Sequence, residues 1–62
     1  MYIAVMSKTY LDAKVGDVIR YFEDGYEHFG RVEVDPEFVG GLKIGGRSVK
    51  NIYDEADEFD IL

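Results

Sequence analysis

Five carboxylates crowd the last twelve residues of the chain: Asp54, Glu55, Asp57, Glu58 and Asp60, with no Lys or Arg among them. The first fifty residues hold eight acids against seven bases, so the net charge of −6 divides into −1 for the body and −5 for this segment. Carboxylates set this close together can attract a basic protein surface, imitate a row of phosphates, or hold a hard cation. The cation reading is the weakest, because Asp54-Glu55-Ala56-Asp57-Glu58 lacks the glycine and the ligand spacing of an EF-hand loop. The phosphate-mimic reading asks for a helix, on which Asp54, Asp57 and Glu58 fall at i, i+3 and i+4 and share a face. Glu33, Asp35 and Glu37 extend that face if the fold brings them near. The plainest reading is a solvated acidic face that keeps a small domain soluble, with Asp54 and Glu55 favouring the N-terminus of a helical turn.

His28 is the only histidine and there is no cysteine, so no set of imidazole or thiolate metal ligands can be assembled. The seven glycines form neither a GxGxxG nor a GxxxxGK phosphate cradle. Ser7 and Ser48 stand in no nucleophile motif. The expectation is a protein with no metal, no cofactor and no enzymatic activity. The bases Lys8, Lys14, Arg20, Arg31, Lys43, Arg47 and Lys50 are dispersed among acids, and the net negative charge opposes binding to a phosphate backbone. A local patch of Arg20, Lys43, Arg47 and Lys50 keeps a nucleic-acid-binding barrel as the third-ranked reading.

A second cluster is aromatic: Tyr21, Phe22, Tyr26, His28 and Phe29. A core as small as this chain can build needs most of its aromatics inside. Five residues on two alternating strands cannot all point inward, however, and those left outside, Tyr ahead of Phe, are favoured at interfaces.

The elements that must position these groups read mostly as strands. Residues 1–6 alternate weakly around Ile3 and Val5 and are expected to form a strand. Ser7–Lys14 is a polar connection in which Thr9 and Asp12 have the spacing to start a helical turn. From Val15 to Val34, β-branched and aromatic residues flank Asp24-Gly25, the strongest short-range hairpin signal. Two registers compete. A two-residue turn pairs Tyr21 with His28 and Arg20 with Phe29. A three-residue Glu23-Asp24-Gly25 loop pairs Phe22 with Tyr26, Ile19 with Phe29 and Asp17 with Arg31. The second is preferred, since it groups apolar with apolar and sets opposite charges across the strands.

Asp35-Pro36 reads as a turn. Leu42-Lys43-Ile44 and Arg47-Ser48-Val49 flank Gly45-Gly46 as a second hairpin, with Leu42 opposite Val49. Ile52, Ala56 and Phe59 recur at helical spacing and Phe59 and Ile61 then alternate, so one helical turn should lead into a short closing strand.

Together these elements predict a single domain over residues 1–62, mostly β: a small SH3-like antiparallel barrel of about five short strands with one helical turn near the C-terminus. Val15-Gly16-Asp17-x-Ile19-x-Tyr21, then Glu23-Asp24-Gly25, then Phe29-Gly30-Arg31-Val32, resembles the first hairpin of Tudor-like and related SH3-like domains over residues 15–34. In Tudor domains, aromatics on both sides of this turn help to cage a methylated cation; Tyr21 or Phe22, with His28 or Phe29, stand at those places. There is no Trp, and the second half of the chain does not match the pattern.

No signal peptide is recognisable, and no run approaches the roughly 20 apolar residues of a membrane span. A cytoplasmic protein that does not engage membranes is the expectation. The function expected is non-enzymatic: an accessory, adaptor or inhibitor module that binds a protein partner with a basic surface through the hairpin aromatics and Asp54, Glu55, Asp57, Glu58 and Asp60. The runner-up is an acidic, phage-type nucleic-acid mimic that inhibits a DNA- or RNA-handling enzyme. A second copy of the chain is a further candidate partner, since small domains often gain stability by self-association.

Overall fold

The computed structural model describes residues 8–62. The strand expected over residues 1–6 lies outside the described residues. Six short strands and one α-helix follow: β1 (Val18–Glu23), β2 (Tyr26–Arg31), β3 (Glu33–Val34), β4 (Leu42–Ile44), β5 (Arg47–Ser48), α1 (Val49–Glu55) and β6 (Glu58–Ile61). They form two antiparallel three-stranded sheets, ordered β2-β1-β6 and β3-β4-β5. The protein is therefore mostly β, as the alternation predicts.

A 3-10 turn at Tyr10–Asp12 precedes the sheets and carries the capping box that Thr9 and Asp12 announce. The Thr9 backbone N–H donates to Asp12 Oδ2 at 2.8 Å, and the Leu11 N–H donates to Thr9 Oγ1 at 3.2 Å.

The first hairpin adopts the two-residue register, overturning the preferred three-residue loop. Glu23 pairs with Tyr26, Tyr21 with His28, Arg20 with Phe29, Ile19 with Gly30 and Val18 with Arg31. Asp24 and Gly25 both take positive φ, 54° and 83°, the signature of the turn whose twist matches the flanking strands. Tertiary packing supplies the reason. A Cβ at position 30 would collide with the Ile44 side chain, so only glycine fits opposite Ile19. The rejected register would have placed Phe29 there.

The hairpin continues past the strand ends. The Gly16 N–H donates to the Val32 carbonyl at 2.9 Å and the Val32 N–H to the Asp17 carbonyl at 2.8 Å, so Asp17 faces Val32 rather than Arg31. Beyond Val32 the chain enters β3, in the second sheet.

The Gly45-Gly46 hairpin forms as expected, with Ile44 opposite Arg47 and Lys43 opposite Ser48. The extrapolated Leu42–Val49 pair does not, because Val49 opens α1: Ser48 Oγ accepts the Asn51 N–H at 3.1 Å and caps the helix. The closing segment follows the predicted order, helical turn then strand. The Asp57 N–H donates to the Phe22 carbonyl at 2.8 Å and the Leu62 N–H to the Val18 carbonyl at 2.9 Å, stitching β6 to β1.

The core lies where the sheets and α1 meet. Ile19, Val32, Val49 and Ile52 are fully buried, Ala13 nearly so, and Tyr10, Tyr21, Leu42, Ile44, Phe59 and Ile61 pack against this centre. Each such aliphatic side chain is worth about 1.5–3 kcal/mol in burial. No described helix is long and apolar enough to cross a membrane.

Candidate functional site

Directly opposed residues of an antiparallel pair share a face, so the register sorts the sheet β2-β1-β6. Ile19, Tyr21, His28, Gly30, Phe59 and Ile61 look inward. Val18, Arg20, Phe22, Glu27, Phe29, Arg31, Glu58 and Asp60 look outward. At the middle of the outer face stands Arg20. Its Nη1 donates to Glu27 Oε2 at 3.0 Å, and its Nη2 donates to Glu58 Oε1 and Asp60 Oδ2, each at 3.1 Å. These hydrogen bonds, Glu58 first, then Asp60 and Glu27, hold the Arg20 guanidinium well above its ordinary pKa. Three carboxylates around one cation leave two negative charges on a small area. Phe29 pairs with Arg20 across the strands and is 59% exposed, while Phe22 is half-buried. The outer face thus joins fixed carboxylates to an exposed aromatic ring.

The acids of the closing segment do not share a helical face. Asp54 and Glu55 end α1, Asp57 follows the Ala56 cap, and Glu58 begins β6. What gathers them is the reversal from helix to strand. Asp54, Asp57, Glu58 and Asp60 line one open cleft of about 560 Å³, together with Lys8, Tyr53 and Phe59. Nor do Asp54 and Glu55 favour a helix N-terminus; they lie at the end the helix dipole disfavours. Cations offset them. Lys50 Nζ reaches Asp54 Oδ2 at 2.9 Å and Arg47 Nη2 reaches Glu55 Oε1 at 3.2 Å. The hydrogen bond that Lys50 donates to Asp54 raises the Lys50 pKa above its ordinary value. Of the five carboxylates only Asp57 lacks an ion pair among the described residues.

The wider patches considered from the sequence do not assemble. Asp35 and Glu37 line a separate hollow with Lys43 and Arg47 that shares no residue with the acidic cleft. In the basic patch, Arg20, Arg47 and Lys50 are each ion-paired to acids of the same chain.

The hairpin aromatics divide. The Tyr21 and His28 rings stack on the inner face, centroids 4.9 Å apart and 15° from parallel, which leaves no gap between them for a cation. Beside them Arg47 binds Glu23 with both nitrogens, at 2.7 and 3.0 Å, and holds that carboxyl below its ordinary pKa. Tyr26 sits at the hairpin tip, 71% exposed. Of the five candidates, then, Phe29 and Tyr26 are open, Phe22 is half-covered on the outer face, and Tyr21 and His28 are structural.

One feature went unseen in the sequence. A groove of about 440 Å³ runs between the 3-10 turn, the 35–41 loop and α1, lined by Tyr10, Leu11, Phe38, Leu42 and Val49 among others. Leu11 and Phe38 stay 78% and 66% exposed at its rim. The only signal was a pair of adjacent apolar residues in each of two polar connections, Tyr10-Leu11 and Phe38-Val39.

No protein-family model, curated protein or solved structure matches this chain.

Proposed function

We propose that this protein is a non-enzymatic interaction module that binds a basic surface of a protein partner with the outer face of β2-β1-β6 and the adjoining acidic cleft. The observation that carries this reading is the Arg20 centre. Glu27, Glu58 and Asp60 come from two different strands and are held on one cation beside the exposed Phe29 ring. Carboxylates fixed beforehand lose little freedom on meeting an arginine or lysine, and an aromatic neighbour adds cation–π attraction. The shape is read as SH3-like, because the chain passes at Val32 from β2 in one three-stranded sheet to β3 in the other, and a helical turn precedes the closing strand. Internal pairing of four of the five C-terminal carboxylates favours a protein partner over nucleic-acid mimicry, which needs a row of uncompensated charges.

The test is a titration of the labelled protein with an oligo-arginine peptide and, separately, with duplex DNA, followed by backbone NMR shifts. Salt-sensitive shifts with the peptide, centred on Phe29, Glu58 and Asp60, and none with DNA, are expected. Saturable DNA binding, or peptide binding that survives Glu58→Gln with Asp60→Asn and Asp57→Asn, overturns the reading.

A further inference from the structure

Both long edges of the sheet β2-β1-β6 are open among the described residues: β2 on one side, β6 on the other. We infer that β2 is a self-pairing edge, on which a second copy of the chain docks antiparallel about a two-fold axis through Phe29. The inference concerns an edge rather than a face, and it shares Glu27 and Phe29 with the basic-partner reading.

Hydrogen-bond parity limits the options. The two-residue turn makes Glu23–Tyr26 a bonded pair, and Val32 both donates to Asp17 and accepts from Gly16. The backbone groups of Tyr26, His28, Gly30 and Val32 therefore point at β1, and those of Glu27, Phe29 and Arg31 point out at the free edge. A second β2 must meet outward groups with outward groups. In the register centred on Phe29, each Glu27 faces Arg31 of the other copy, and the two Phe29 rings face one another across the axis. Glu27 and Arg31 are exposed, and Arg31 has no ion pair among the described residues. Neighbouring registers of the same parity lose this match: centring on His28 sets Glu27 against Phe29, centring on Gly30 sets Glu27 against Glu33, and centring on Glu27 sets that carboxylate against its own copy. Complementary charges opposite each other stabilise a strand pair and like charges oppose it.

The β6 edge fails the same test. Its outward backbone groups belong to Phe59 and Ile61, since Leu62 bonds to Val18 of β1 and Asp60 and Glu58 share its parity. Centred on Asp60, self-pairing sets Asp60 against Asp60; centred on Phe59, it sets Glu58 against Asp60. Inward or edge charges of this kind are how sheets refuse edge-to-edge contact. The two edges thus differ in kind, β6 blocked and β2 self-complementary. Pairing at β2 would make one six-stranded sheet with Phe29 and two Glu27–Arg31 pairs at its seam. So small a contact belongs with weak, concentration-dependent interfaces.

Sedimentation equilibrium from micromolar to millimolar protein tests the inference. Wild type should move from monomer toward dimer. Arg31→Glu alone and Glu27→Lys alone should each weaken dimerisation by about tenfold or more, since two pairs become repulsive in each. The two single variants mixed in equal amounts should associate, because each then offers the other two opposite-charge pairs; this also shows that neither variant has lost its fold. A wild type that stays monomeric at millimolar concentration, an Arg31→Glu variant that dimerises as wild type does, or a mixture that fails to associate would each overturn the inference.

Discussion

The two faces of the sheet β2-β1-β6 are built from the same three strands and interleaved residues, yet they obey different physics. On the inner face Ile19 is fully buried, Gly30 lets Ile44 approach, and Tyr21 covers His28. Shape decides there, and a single extra carbon is excluded. On the outer face Arg20 collects Glu27, Glu58 and Asp60 in partial contact with water, and Phe29 stays exposed. Charge and exposure decide there, and shape matters little. The lesson is a division of labour by parity: odd-numbered positions of β1 hold the fold and even-numbered ones address the surroundings.

The largest effect that would break this division is expected from Ile19→Ala. Removing a fully buried side chain at the centre costs about 2–5 kcal/mol, enough to unfold much of so small a domain, and urea melts followed by circular dichroism would read it. Gly30→Ala comes next. The new methyl meets Ile44, and forcing that contact costs about 1–3 kcal/mol in the same melts.

Arg47→Met probes the boundary between faces, where Arg47 holds Glu23. The Glu23 carboxyl titrates below its ordinary value in the folded protein. Its stabilisation is therefore present above the ordinary carboxylate pKa and is lost as pH falls through the depressed one. The thermal midpoint of Arg47→Met should lie below wild type near neutrality and converge on it in acid; a gap unchanged by acid would contradict the assignment. The smallest effect on stability should come from Phe29→Ala, within about 0.5 kcal/mol of wild type, while oligo-arginine binding in the NMR titration falls clearly. A Phe29→Ala variant as unstable as Ile19→Ala would erase the distinction between the faces.

Much of the fold was legible in local chemistry. Asp24-Gly25 and Gly45-Gly46 turned where expected, Thr9 and Asp12 capped a turn, and Ile52 through Ile61 ran from helix to strand. The hairpin register was not legible, because both candidates satisfy local pairing and the deciding contact, Gly30 with Ile44, joins residues of different sheets. The site was half legible. Strand alternation required some of the five aromatics to stay outside but did not say which, and the helical face of Asp54, Asp57 and Glu58 does not form, since α1 stops at Glu55. The apolar groove was not legible in the sequence because its walls, Tyr10, Phe38 and Val49, are far apart along the chain.

By itself, then, the sequence determined which segments turn, which alternate, and that negative charge gathers in the closing segment, because these depend on neighbours a few residues apart. Only the tertiary structure decided what that charge is worth. Folding brought Arg20, Arg47 and Lys50 against four of the five carboxylates, and fixed a run of acids along the outer face and the cleft that adjoins it, with Glu58 and Asp60 common to both. Coulomb interactions act through space rather than along the chain, so their partners exist only once the strands have paired.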